Sequence, residues 1–197
     1  MKQIFEIKDK EVINAVLDHA EYGTLALCSD DIPYSVPVNF VMLGGMVCFH
    51  GSHGGRKMKM IHNNPKVSLS IVESYSMIQS YFSSTEQSAC PATHFFKSIS
   101  IEGEAIIVEC RDEKAAIMEA LMRKLQPEGK YIPMSDSSYD KALGATAVVK
   151  IIISDIKAKF KLGQHLDQKR FDMIIEHLRS RGEPKDLDTI GMMRDFY

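Results

Sequence analysis

The sequence has no long hydrophobic run. Nowhere do the ~20 consecutive apolar residues of a membrane-spanning helix occur. The opening stretch MKQIFEIKDKEVINAVLDHAEYG is studded with charge and has no uninterrupted apolar segment of the secretory kind. A cytoplasmic chain with no membrane partner is expected. An excess of one charge is missing as well. With 24 Lys and Arg against 26 Asp and Glu the formal net charge is −2, and no long run of one sign occurs, so the electrostatic footprint of a nucleic-acid binder is absent. Paired cysteines are also lacking. Cys28, Cys48, Cys90 and Cys110 are scattered with neither a CxxC pair nor zinc spacing, which argues for reduced thiols acting as small buried apolar side chains. Cys90, in a predicted loop before Pro91, is the one candidate for reactivity. There is no internal repeat and no low-complexity linker.

What is present is enough apolar material for a full core, 45% of 197 residues, in a length that suits one compact unit better than two. Asp9 is placed to cap a helix with Ile13, Val16, Leu17 and Ala20 on one face, and Gly23 follows it. The period then changes. GTLALCS, PYSVPVNFVM, MVCFHG and KVSLSIVES are short, rich in β-branched and aromatic residues, and separated by the turn signals Asp30-Asp31 and Leu43-Gly44-Gly45. Further strands are predicted near 76–82, from Phe95 to Glu109 and from Gly144 to Leu162. Helices are predicted at 112–125 and 167–180, the second followed by a polar tail. Residues 125–140 read as an irregular excursion, a loop or a lid. Lys159 and Lys161 alternate on one strand face and read as an exposed basic edge that discourages strand pairing. The fold class is mainly β with peripheral helices, a small antiparallel barrel.

Between the third and fourth strands, GSHGGRKMKMIHNNP places a short helix starting near Gly55, with Met58, Ile61 and His62 at helical spacing. Gly51, Gly54 and Gly55 let the backbone approach a ligand. Arg56 and Lys57 sit at the positive end of the helix dipole, where cations are unfavourable unless an anion is bound. Either this is a phosphate site or two solvated cations follow a flexible turn. It is not a Walker A loop, because the four-residue gap and the Ser/Thr after Lys57 are missing, and there is no GxGxxG. His50 and His53 have an HxxH spacing, but on a strand-to-loop segment they would not share a face, and no Cys or carboxylate cluster accompanies them. No metal is expected.

The stretch PYSVPVNFVMLGGMVCFHGSHGGRKMKMIHNNPKVSLSI, with FFKSISIEGEA and AKFKLGQ in the same order further on, resembles the pyridoxamine 5′-phosphate oxidase-like family of FMN-binding split β-barrels, in its nitroimidazole-resistance (NimA-like) branch. The resemblance covers roughly residues 10–165. It implies an antiparallel, Greek-key-like split barrel over 1–165, with 166–197 a C-terminal helix and tail packing on the barrel or on a dimer partner. It further implies FMN, or alternatively FAD, with the phosphate on Arg56 and Lys57. Pro37, Val38, Asn39 and Phe40 would run beside the flavin ring, with His50 and Gly51 at the end of the third strand, Ser98 a polar contact and Gln164 in the closing motif. Gly163 and His165 depart from the Ser and Asn expected around that glutamine. A homodimer sharing the site is implied. So is a flavin-dependent oxidoreductase acting on a small molecule, with His50 as the proton-handling catalytic group. A flavin- or haem-binding or haem-degrading protein is the alternative. Oxidation of pyridoxamine phosphate itself is disfavoured, because the tail HLRSRGEPKDLDTIGMMRDFY has no Arg-x-His element of that kind.

Overall fold

The structure, a computed structural model, describes residues 2–197. Helix α1 (Lys10–His19) starts where the sequence predicts. The Asp9 carboxylate accepts the backbone N–H groups of Glu11 and Val12 at 2.8 and 3.3 Å, and Ile13, Val16 and Leu17 are buried.

The strands are β1 (Glu6–Ile7), β2 (Gly23–Ser29), β3 (Ile32–Val38), β4 (Val41–Leu43), β5 (Met46–Ser52), β6 (Lys66–Ile78), β7 (Thr93–Val108) and β8 (Thr146–Lys161). They form a sheet of order β3-β2-β6-β7-β8-β5-β4, and β1 also pairs with β8. Pairing is antiparallel for β2 with β3 and β6, for β4 and β1 with their partners, and for β5 with β8. Both early turns come out as the sequence signals them. Asp30 and Asp31 have φ of 53° and 59°, and Gly44 and Gly45 have 58° and 78°, the double left-handed geometry of tight two-residue hairpins. Pro33 and Pro37 lie on β3, which ends the strand order, where a missing N–H costs the sheet least.

The chain divides into two compact units. One comprises Met1–Ile13, Val72–Ile99 and Lys157–Tyr197; the other comprises Asn14–Ile71 and Ser100–Ile156. Strands β6, β7 and β8 each contribute residues to both units. Strand β6 also exceeds its predicted length. In β6 the buried positions are Val67, Leu69 and Ile71, then Ser76 and Ile78. This switch of parity makes one strand read as two.

After β5 come the helices α2 (Arg56–Asn63), α3 (Arg111–Leu125), α4 (Asp140–Ala145) and α5 (Gln168–Arg181). The polar tail is not irregular. Residues Asp186–Asp195 form α6, anchored by the fully buried Asp186 and Thr189, whose side chains hydrogen-bond Ser76 of β6. Residues 125–140 are tied down rather than loose. The Glu119 carboxylate accepts the Met134 N–H at 3.0 Å and the Tyr131 hydroxyl at 3.3 Å.

Three of the four cysteines are exposed, against expectation; only Cys48 is buried. Cys28 lies on the outward parity of β2, whose burial alternates strictly, so its β-strand position rather than its chemistry decides its exposure. The basic edge is likewise corrected. Lys159 pairs with Glu6 of β1 and lies 5.3 Å from the Phe96 ring, and Lys161 donates to the Thr93 hydroxyl.

Candidate functional site

Helix α2 begins at Arg56, and the extended backbone of Gly55 caps it without a side-chain hydrogen bond. Its apolar face, Met58, Met60 and Ile61, is buried, whereas His62 is exposed. The far end is fixed to the turn end of the chain's first hairpin. Asn63 donates to the Ser29 hydroxyl at 3.2 Å and Asn64 to the Cys28 carbonyl at 2.9 Å. The first turn therefore has a fixed direction, with unshared N–H groups at its opening.

Arg56 and Lys57 occupy that turn, and each stands on an aromatic ring of a different strand. The Arg56 guanidinium is 4.4 Å from the Tyr34 ring centre, and the Lys57 ammonium is 5.0 Å from that of Phe49. Among the described residues neither cation is in an ion pair. Lys57 is half-buried, and loss of hydration lowers its pKa below the ordinary lysine value. Beside it, His50 projects outward from β5; desolvation first, and the Lys57 charge second, lower its pKa. The His50 imidazole thus adjoins a cation that has no carboxylate partner among the described residues.

Gly51 follows, paired with Ala147 across β5 and β8. A Cβ built on it would lie 3.1 Å from the Lys57 ammonium. The segment Pro37–Phe40 closes β3 and turns into β4, so the predicted continuous strand is interrupted at Asn39 and Phe40. Asn39 donates to the Glu21 carbonyl at 2.8 Å. Phe40 is buried beneath the Lys124 ammonium, 4.4 Å from its ring centre, and both line a cavity of about 250 Å³ with Asn39, Leu121 and His19.

Eight of the ten predicted site residues, Pro37, Val38, Asn39, Phe40, His50, Gly51, Arg56 and Lys57, belong to the unit formed by Asn14–Ile71 and Ser100–Ile156. Ser98 and Gln164 belong to the other. Ser98 is half-buried and donates to the Lys159 carbonyl at 3.4 Å. The Gln164 amide braces its own turn, accepting the Leu162 N–H at 2.8 Å and donating to the Phe160 carbonyl at 2.9 Å. Sequence reading did not single out Tyr34, Phe49 or Lys124. Tyr34 shares the strand parity of Val36 and Val38, and that spacing is the signal that could have placed it under Arg56.

Residues 9–160 match the family model described as pyridoxamine 5′-phosphate oxidase. The chain belongs to this family. Its fold is the split β-barrel expected from the sequence. An uncharacterized protein of Rhizobium meliloti (strain 1021) is 37% identical over 68 residues, 34% of this chain and 44% of that protein, so the match spans less than half of the relative's length. Among solved structures, a candidate 5-nitroimidazole antibiotic resistance protein of Bacteroides thetaiotaomicron has a TM-score of 0.65 at 21% identity, covering 78% of this chain and 85% of its own. The flavocytochrome Anf3 of Azotobacter vinelandii has a TM-score of 0.68 at 21% identity, with coverage of 87% and 78%. The FAD and heme binding protein of Mycobacterium smegmatis has a TM-score of 0.69 at 19% identity, with coverage of 87% and 79%. At these identities the likeness is one of fold.

Proposed function

We propose that this member of the family binds FMN, with the phosphate on Arg56 and Lys57 and the ring beside Pro37–Phe40, and reduces a small molecule with it. One observation carries the reading: two cations held in place on aromatic faces at a helix start, with no carboxylate partner among the described residues. Their mutual repulsion and their place at the positive end of α2 are offset by a phosphate and by little else. Gly51 fits the same reading, because a side chain there would press on the Lys57 ammonium.

A bound flavin supplies the electron-transfer chemistry itself. The chain's own contribution is positional. Arg56 and Lys57 hold the phosphate, Gly51 keeps the approach clear, and the backbone of Pro37–Phe40 meets the polar edge of the ring. His50, kept neutral by its lowered pKa, is able to accept a proton beside the site. Ser98 and Gln164 are assigned as additional contacts, and a second copy of the chain completes the site in a homodimer.

The likeness in fold to proteins named for FAD and haem favours a second reading, in which FAD or haem takes the place of FMN. The absorption spectrum of freshly purified protein, with mass identification of the released ligand, separates the two. Released FMN with a flavin spectrum supports the first reading; a Soret band supports haem. A colourless protein that takes up neither added FMN nor FAD overturns the cofactor assignment.

A further inference from the structure

A cationic cavity lies wholly within the unit that contains α5 and α6. It measures about 190 Å³ and is lined by Lys161 at the end of β8, His165 just beyond it, Arg170 in the first turn of α5, and Cys90 and Thr93 at the entry to β7. Among the described residues that line it none is Asp or Glu. The nearest carboxylate in sequence, Asp167, is occupied as the cap of α5, accepting the Arg170 backbone N–H at 2.9 Å.

The cations are held rather than free. The Arg170 guanidinium donates to the Ser83 carbonyl and hydroxyl at 3.3 and 3.4 Å, and Lys161 donates to the Thr93 hydroxyl. Arg carries five N–H donors and Lys three, so both retain capacity toward the cavity. The Phe5 ring packs edge-on against His165, 5.4 Å between centres. Burial lowers the pKa of Lys161 and of His165, and neighbouring cations lower both further: Lys159 and Lys2 for the first, Lys161, Arg170 and Lys2 for the second. Three basic side chains around one small polar space oppose one another until an anion enters.

We propose that Lys161, His165 and Arg170 form a binding site for a single phosphate-sized oxyanion, separate from the Arg56–Lys57 pair and carried by either a small phosphomonoester or free phosphate. Fixed guanidinium, ammonium and imidazole donors around a small volume suit a compact tetrahedral anion.

The test uses the full chain with Cys28→Ser and Cys110→Ser, which leaves Cys90 as the exposed thiol. Its alkylation by the neutral reagent iodoacetamide is followed at constant ionic strength in inorganic phosphate and, separately, in glycerol 3-phosphate. Saturable protection is expected, slowing Cys90 about fivefold at four times the half-saturating concentration. Tighter protection by the ester assigns a phosphomonoester, and tighter protection by phosphate assigns the free anion. In the Lys161→Gln/Arg170→Gln variant the protection should vanish. As a measurement without these substitutions, the imidazole resonances of His165 should shift along the same saturation curve. No protection by either anion, or equal protection in the variant, overturns the proposal, whatever cofactor Arg56 and Lys57 hold.

Discussion

The Lys57 ammonium occupies the place from which a side chain on Gly51 would push it, since a Cβ there would approach it to 3.1 Å. Gly51 has no left-handed backbone, so Ala fits its conformation, and the chain loses less entropy on folding with Ala in a strand. Gly51→Ala is therefore expected to leave the thermal midpoint unchanged or slightly raised. FMN affinity should fall about three- to tenfold, part of the value of a hydrogen bond to a charged group. Titration calorimetry beside a thermal melt checks both halves, and an unchanged affinity would remove Lys57 from the phosphate assignment.

Lys57→Ala removes the charge altogether and should weaken FMN by ~1.5–3 kcal/mol. Tyr34→Leu, which keeps Arg56 but takes away the ring beneath it, should cost less, about 0.5–1 kcal/mol, the value of a cation–aromatic contact at an exposed site. The order of the two losses is the measurable quantity. A larger effect from Tyr34 would mean that the ring itself meets the ligand.

How far the sequence could be read follows from which residues obey a local rule. The α2 start was legible because Gly-Gly-Arg-Lys before buried Met58 and Ile61 is a helix boundary written in adjacent residues. The two hairpin turns were legible for the same reason. Strand β6 was less so. The inward face of β6 passes from Ile71 to Ser76 with a change of parity, and a period-two reading breaks there even though the strand does not. Helix α6 was missed because its anchor is polar. Asp186 and Thr189 look like tail residues until Ser76, 110 positions away for Asp186, supplies their hydrogen bonds. The aromatic seats of Arg56 and Lys57 depend on strands brought beside α2 by the fold, and nothing adjacent in sequence announces them.

The exposure of the thiols gives a direct check on the packing. Cys48 is buried, and burial first, then the charge of Glu113, pushes its thiol pKa up to about 11. Cys28, Cys90 and Cys110 are exposed. Alkylation at neutral pH should thus modify three cysteines readily and the fourth only on unfolding, because the thiolate is the reactive form. Mass spectrometry over a denaturant series reads this, and a fourth fast adduct in native buffer would contradict the burial of β5.

The last prediction concerns the C-terminal helix. Asp186 is fully buried, and Arg181 Nε donates to its Oδ2 at 3.0 Å, Ser76 Oγ to its Oδ1 at 2.6 Å and the Glu183 N–H to Oδ2 at 2.8 Å. The hydrogen bond from Arg181, then the others, hold its carboxyl below the ordinary range. A carboxylate depressed in this way stabilises the folded state above its unfolded pKa, near ~3.9, and loses that contribution as pH falls through the lower folded value. Asp186→Asn should therefore cost most at neutral pH, about 3–5 kcal/mol for breaking a buried pair. The gap to the parent should narrow as pH drops below about 4. Arg181→Ala, which leaves the buried charge without its partner, should destabilise more than the paired change Arg181→Met/Asp186→Leu, which removes both charges. Urea unfolding at pH 7, 4 and 3 decides it. A gap between parent and Asp186→Asn that stays constant with pH would mean that Asp186 contributes by shape alone.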